Sequence, residues 1–204
     1  MSFKTCNILV FVKSPLPGRV KTRLGKDIGT RNAAQLYKKM LYQFLEKLSQ
    51  NNKCMLELWC YPDTKHPFLR KCARDFNLVL KRQSGDDLGS KMNNAIRQSL
   101  KNYKQCVLVG SDIPDIDSTD IHQARQYLRD EDGVVILPTQ DGGYGLIAMN
   151  TYLPILFRNM KWSTPVVMKH TLQRAKKNNI KYHLLAEKMD IDTKADWRRY
   201  KLSG

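Results

Sequence analysis

No stretch of this sequence approaches the ~20 consecutive apolar residues of a membrane-spanning helix. The apolar run nearest its start, Ile8 to Val12, is too short for the core of a secretion signal. Neither a span nor a cleaved leader is therefore expected, and a cytoplasmic protein is. Cysteine is scarce. The five residues Cys6, Cys54, Cys60, Cys72 and Cys106 are odd in number and contain no CxxC pair, which excludes a disulfide framework and a thiolate zinc site. They read as free, buried thiols in a reducing compartment. Histidine is scarcer still, at four, and His66, next to Pro67, reads as a surface residue rather than a ligand.

Acidic residues are the other shortage. Nineteen Asp and Glu stand against 35 Lys and Arg, for a net charge of +16. Such a field favours anionic partners: nucleotides, phosphosugars, nucleic acid or an acidic membrane surface. The basic residues are spread from Lys38-Lys39 to Lys176-Lys177 and Arg198-Arg199, with no arginine-rich tail and no motif that reads nucleic acid. Most of this charge is therefore expected to be solvated surface, with no specific nucleic-acid partner. With 42% hydrophobic residues over 204 positions, and no repeat, linker or low-complexity tract, residues 1–204 read as one α/β domain with a real core.

The stretch around which the rest is organised is Cys106 to Asp115. Its apolar run Cys106-Val107-Leu108-Val109 ends in Gly110-Ser111-Asp112, the pattern of a buried strand that delivers a carboxylate at its C-terminal end. Ligands of open α/β sheets bind in the crevice beyond those ends, so Asp112 is a candidate for substrate or metal. A turn shaped by Asp112 or Asp115 explains the same residues.

Asn7 to Val12 reads as the first strand. It runs into a basic loop, Lys13-Ser14-Pro15-Leu16-Pro17-Gly18-Arg19-Val20-Lys21-Thr22-Arg23-Leu24. Cations and free backbone N–H groups at this position make a phosphate cradle, though a solvated basic loop has the same composition. Gly18 before Lys21-Thr22 lacks the G-x-x-x-x-G-K spacing, which excludes a P-loop NTPase. Further on, Thr30 is expected to cap a helix to about Leu48, with Ala34, Leu36, Tyr37, Leu41, Phe44, Leu45 and Leu48 on its apolar face.

Strands are expected at Met55–Tyr61, Leu78–Lys81, Gly133–Pro138, Leu146–Met149 and Tyr182–Leu185. Helices are expected from His66 to about Asn77, from Asp87 to about Tyr103, and from a Ser118 cap to about Leu128. Another should open at Trp162-Ser163-Thr164-Pro165, and a last one is capped by Thr193. Two glycine-rich turns stand out. In Gln83-Ser84-Gly85-Asp86-Asp87-Leu88-Gly89 the glycines allow a flat ligand close to backbone, while Asp87 alone explains itself as a helix cap. Asp141-Gly142-Gly143-Tyr144-Gly145 is a hairpin signal and also a wall against which a sugar ring could lie. Near the end, alternation places Asp190 and Asp192 on one side of an extended segment, where acids from that segment and Asp112 could share a Mg²⁺ or Mn²⁺ with nucleotide phosphates.

In this order, these segments resemble the uncharacterised glycosyltransferase-like proteins of the GT-A, nucleotide-diphospho-sugar transferase superfamily, some of them associated with arsenosugar biosynthesis. Lys13 to Leu24, Gly85 to Gly89, Gly110 to Pro114, Asp141 to Tyr144, Trp162 to Thr164 and Asp190 to Thr193 carry the resemblance. The basic loop is also similar to that of guanylyltransferases acting on phospholactate. The resemblance implies a Rossmann-like (GT-A) mixed, mainly parallel sheet with helices on both faces. It implies Asp112 as the metal-binding acid, Asp192 as a second ligand with Asp190 behind it, and Lys21 and Arg23 on the diphosphate. Lys13, Gly18 and Thr22 belong to the same nucleotide loop, and Gln83, Gly85 and Asp87 lie toward the base.

Asp141, beside its glycines, is the candidate general base. Two departures are visible: Lys91 stands where the family often has Arg, without a bidentate fork, and Ile113-Pro114 separates Asp112 from Asp115, so there is no strict D-x-D. The expectation is a metal-dependent glycosyltransferase with a nucleotide-sugar donor and a small-molecule acceptor. The alternatives are a nucleotidyltransferase releasing pyrophosphate and, from another class, a non-catalytic nucleotide or nucleic-acid binder. Neither the base, the sugar, the acceptor nor the oligomeric state is legible.

Overall fold

The structure, a computed structural model, describes residues 4–50 and 54–203. Seven strands form one sheet: β1 (Lys4–Lys13), β2 (Met55–Tyr61), β3 (Val79–Arg82), β4 (Tyr103–Gly110), β5 (Gly133–Pro138), β6 (Tyr144–Met149) and β7 (Lys181–Leu184). Their spatial order is β3-β2-β1-β4-β6-β5-β7. β6 runs antiparallel to both β4 and β5, and every other pairing is parallel. This is the mixed, mainly parallel sheet expected.

The helices are α1 (Thr22–Ile28), α2 (Thr30–Gln50), α3 (Pro67–Asp75), α4 (Leu88–Ser99), α5 (Ser118–Asp130), α6 (Val167–Lys177) and α7 (Lys194–Ser203), with a 3-10 turn at Pro154–Leu156. Alternate residues of each central strand point to opposite sides. Ile8, Val10 and Val12 of β1 join a core with α2, α3 and α5, while Leu9 and Phe11 join another with α4 and α6. Burial on both faces is why the central strands read as continuous apolar runs instead of alternating.

The strand expectations match to within three residues at every end; β1 and β4 each begin three residues earlier than expected, and β2 and β5 coincide with the expectation. Helix starts differ more, and each difference has a local cause. α1 falls inside what reads as a loop: Pro15, Pro17 and Gly18 end before Lys21, and the helix runs from Thr22 to Ile28 with Gly29 as its C-cap. Along α2, Leu36 is only half-buried, and Ala33 and Met40 complete the buried stripe instead. His66 has a definite task, since its Nδ1 accepts the Phe68 amide as the cap of α3.

The cap of α5 is Asp117, paired reciprocally with Asp120, and Ser118 is already helical. α4 stops at Ser99, which leaves Tyr103 to begin β4. α6 begins only at Val167, because the Thr164 hydroxyl turns back to the Lys161 carbonyl and Ser163 holds φ 60. Thr193 does cap α7, exchanging bonds with Asp196 in both directions. All five cysteines are free; four are buried and Cys54 is half-buried. Among the described residues no helix is long and apolar enough to cross a membrane.

Candidate active site

After β1 the chain turns toward β2 and β3; after β4 it turns the other way, toward β5. The crevice between the C-terminal ends of β1 and β4 is therefore the switch point of the sheet, where doubly wound folds bind ligands. The basic loop leaves β1 there and the Ser111–Asp115 turn leaves β4. Tyr37 of α2 spans the two: its hydroxyl accepts the Lys13 amide at 3.2 Å and shares a hydrogen bond of 2.9 Å with Ser111 Oγ. Burial, and then the nearby charge of Asp112, push that hydroxyl's pKa up. From sequence Tyr37 reads only as core. An OH on an otherwise apolar helix stripe was the available signal, because a buried Tyr needs a partner for it.

The C-terminal segment closes over this crevice. The Ile191 amide donates to the Asp112 carbonyl at 3.1 Å, and Ile191 is fully buried, so Asp190 and Asp192 flank a fixed point beside Asp112. Lys21 reaches into the group. Its ammonium is paired with Asp112 Oδ1 and lies 3.4 Å from Asp192 Oδ1, with the side chain only 1% exposed. Arg23 approaches Asp192 from solvent at 3.9 Å. Asp190 belongs to the same cluster. Its carboxyl is held above the ordinary carboxylate range by burial first, then by the charges of Asp192 and Asp141. The structure thus gathers Asp112, Asp190, Asp192, Lys21 and Arg23 in one crevice, with Asp141 near enough for its charge to act on Asp190.

The other candidates lie around its rim or serve the fold. Lys13 at the end of β1, Gly18 on the loop and Thr22 at the start of α1 are all exposed. Gln83 is buried, and its amide donates to the Val12 carbonyl at 3.1 Å and the Trp59 carbonyl at 2.8 Å, tying the ends of β1 and β2 together. Asp87 is the cap of α4, reciprocated by Ser90, and those bonds lower its pKa. Lys91 lies over the ring of Tyr61, 4.1 Å from its centroid, at the end of β2. That exposed aromatic at the rim carried no motif in the sequence.

A Cβ at Gly18 would meet nothing within 4 Å, but in the two glycine-rich turns the clearance is filled by the protein itself. A Cβ on Gly85 would strike Ser90 and Lys91, one on Gly89 the indole of Trp162, and one on Gly142 the Pro165 carbonyl oxygen at 2.2 Å. These glycines join segments rather than leaving a wall for a flat ligand or a sugar. Gly142 also holds φ 82, and its carbonyl accepts the Met168 amide at 2.9 Å. Gly142→Ala should therefore cost roughly 2 kcal/mol or more, from the left-handed backbone and the backbone collision together. A thermal scan should show the melting temperature down by several degrees, since each kcal/mol is worth about 2–4 °C in a chain of this size. An unchanged melting temperature would mean that this contact is absent in solution.

Asp141 holds its own turn. Its Oδ1 accepts the Thr139 hydroxyl at 2.6 Å and the Gly143 amide at 3.0 Å, which leaves Oδ2 outside these bonds. The donor set can be tested against a divalent cation in the same way. Among the described residues no group of three or more His, Cys, Asp or Glu side chains is arranged to hold a metal ion by itself. Mg²⁺, however, commonly takes one or two carboxylates and completes its shell with water and substrate phosphates. Asp112 and Asp192, already sharing one cation in Lys21, supply that number of hard oxygen ligands. The residues present fit a cation that arrives with phosphate.

Comparison with known proteins narrows the family. Residues 44–164 match the model of a family described as an uncharacterized protein conserved in bacteria, DUF2064. The chain belongs to this family. It is 31% identical to a provisionally assigned nucleotide-diphospho-sugar transferase from Desulfovibrio desulfuricans G20, covering 93% of this chain and 83% of that one at a TM-score of 0.85. Two other solved structures share the fold at lower identity. One is a cytidylyltransferase from Leptospira borgpetersenii (16% identity, 97% and 85% covered, TM-score 0.64). The other is 4-diphosphocytidyl-2C-methyl-D-erythritol synthase from Anaerococcus prevotii (11% identity, 98% and 99% covered, TM-score 0.65). No curated protein matches the sequence. The fold of this DUF2064 chain is thus that of the nucleotide-diphospho-sugar transferases and nucleotidyltransferases.

Proposed function

We propose that this protein is a divalent-metal-dependent transferase that takes the glycosyl group of a nucleotide-diphospho-sugar and passes it to a hydroxyl of a small-molecule acceptor. The observation that carries the reading is the convergence of Asp112, Asp192 and Lys21 at the switch point, with Asp190 and Asp141 behind them. In this reading Asp112 and Asp192 hold Mg²⁺ or Mn²⁺, and Arg23, Lys13 and Lys21 face the diphosphate. The bound cation would neutralise the charge that grows on the leaving nucleoside diphosphate. The acceptor oxygen bonds to the anomeric carbon as the bond from that carbon to the diphosphate breaks, and the acceptor proton passes to Asp141 Oδ2.

A second reading, nucleotidyl transfer with release of pyrophosphate, uses the same acids and loop. What favours it is the commitment of Asp141 Oδ1 to its turn, because a phosphate nucleophile is already ionised and requires no protein base. The test is incubation with Mn²⁺ and separate panels of nucleotide sugars and nucleoside triphosphates. Release of UDP or GDP is expected. Pyrophosphate instead would promote the second reading, and neither product from any donor would remove the enzyme assignment.

Arg23 offers a narrower test. Its side chain is 74% exposed and meets Asp192 only at 3.9 Å, so its removal leaves the core untouched. Each charge-assisted phosphate contact is worth roughly 1.5–3 kcal/mol. Arg23→Ala should therefore weaken nucleoside diphosphate binding about tenfold or more, measured by calorimetry, with nucleoside binding unchanged. Equal losses for both ligands would mean that Arg23 does not face the diphosphate.

A further inference from the structure

Lys21 is the residue whose position the proposed chemistry does not explain. A lysine recruited to bind phosphate is expected to be exposed, as Arg19 and Arg23 are. Lys21 instead has its side chain 1% exposed, with its ammonium on Asp112 and 3.4 Å from Asp192. Its backbone is left-handed, φ 47 and ψ 47, a conformation that costs a non-glycine residue energy and persists where the surroundings enforce it. The enforcement is visible: the Lys21 carbonyl accepts the Gly25 amide at 2.8 Å as the first bond of α1, and the ammonium end is held by two acids. The acids do not depend on the lysine for their placement, because the Ile191 amide and the Asp112 carbonyl tie their segments together.

We propose that Lys21 is the resident counter-cation of the Asp112–Asp192 pair. It competes with the divalent metal for those oxygens and leaves them when nucleotide phosphates offer it another anion. This deepens the function proposed above and rests on its reading of the two acids as metal ligands. A dication and an ammonium within a few ångströms repel strongly in a site of reduced dielectric. An ammonium expelled without a new partner remains partly buried and unpaired, which is costly.

A diphosphate removes that cost, and the four-carbon stem lets the ammonium move to it without the backbone shifting. Metal and nucleotide therefore bind with positive coupling, and by linkage each raises the affinity of the other by the same factor. Free metal alone should bind the nucleotide-free protein weakly.

The test is Mn²⁺ binding to the nucleotide-free full chain, followed by the electron paramagnetic resonance of free Mn²⁺. Lys21→Met keeps the stem and removes the charge. It should tighten Mn²⁺ binding by roughly tenfold to a hundredfold, the worth of a charge-assisted contact that no longer has to be displaced. Asp112→Asn in the Lys21→Met background should remove the gain. Unchanged or weaker Mn²⁺ binding by Lys21→Met, with binding still abolished by Asp112→Asn, would overturn the proposal while leaving the metal reading intact. If Mn²⁺ binding is indifferent to Asp112→Asn, the metal reading itself falls, and the proposal with it.

Should Lys21→Met fail to fold, the wild-type protein still decides the matter through the ¹⁵N resonance of the Lys21 ammonium. That signal is expected to persist with Mg²⁺ alone and to shift or vanish with Mg²⁺ plus inorganic pyrophosphate. Overturning results are a signal that never moves while the backbone amides of Asp112 and Asp192 report bound metal, or amides that report no metal at all.

Discussion

Asp112→Asn should abolish Mn²⁺-dependent binding of the nucleotide donor while leaving the protein folded. Asp112 is the carboxylate that β4 delivers to the switch point, and its side chain is 56% exposed, so it supports the core little. The substitution keeps an oxygen able to accept from the Lys21 ammonium, and Asp192 still balances that charge. The stability loss should therefore fall well short of the roughly 3–5 kcal/mol that follows when a buried pair is broken outright. For a metal the change is severe, because a neutral amide oxygen replaces an anionic ligand in a site with only two well-placed acids. Removing an outer-sphere partner of a metal already costs roughly 10–100-fold in affinity or activity, and a direct ligand should cost more. Calorimetry with and without Mn²⁺, beside a thermal scan, separates the effects. Unchanged metal-dependent affinity with an unchanged melting temperature would reduce Asp112 to a turn residue and dissolve the site.

How much of this site the sequence shows depends on whether a residue's role is local. Asp87 and Thr193 are legible as caps because their partners lie three residues away. The strands β2 and β5 are legible because burial on both faces leaves an apolar run, broken in β2 only at Glu57, whose carboxylate accepts the Trp59 indole N–H. Lys21 is not legible as an ion-pair partner, since one of its acids lies 171 positions away; from sequence it is simply a cation in a basic loop. The glycines were misleading in a related way. A Gly announces that space is needed, and only the fold tells that Pro165 fills it at Gly142 and Trp162 at Gly89. The start of α6 fails for the same reason: Ser163-Thr164-Pro165 has the composition of a helix opening, but Pro165 is held against Gly142, so the helix begins two residues later.

The position of Asp141 makes it the residue that separates glycosyl from nucleotidyl transfer. Its Oδ1 is committed to the Thr139 hydroxyl and the Gly143 amide, and an asparagine can accept both bonds with its own carbonyl oxygen. Asp141→Asn should therefore preserve the turn, and with it the packing of Gly142 on Pro165, while replacing Oδ2 by a group that cannot take a proton. If the protein transfers a glycosyl group to a hydroxyl, turnover should fall by roughly 10²–10⁴-fold, the usual contribution of a positioned general base. Donor affinity should stay within a small factor of wild type, because the metal-facing acids and the basic loop are untouched. If the reaction is nucleotidyl transfer, the attacking phosphate carries no proton that must leave, and the substitution acts only through the charge lost beside Asp190, a much smaller effect. Steady-state kinetics with the donor identified by the panel reads the difference directly. Pyrophosphate release with wild-type-like turnover in Asp141→Asn would sink the glycosyltransferase proposal and leave Asp141 as the residue that holds the turn between β5 and β6.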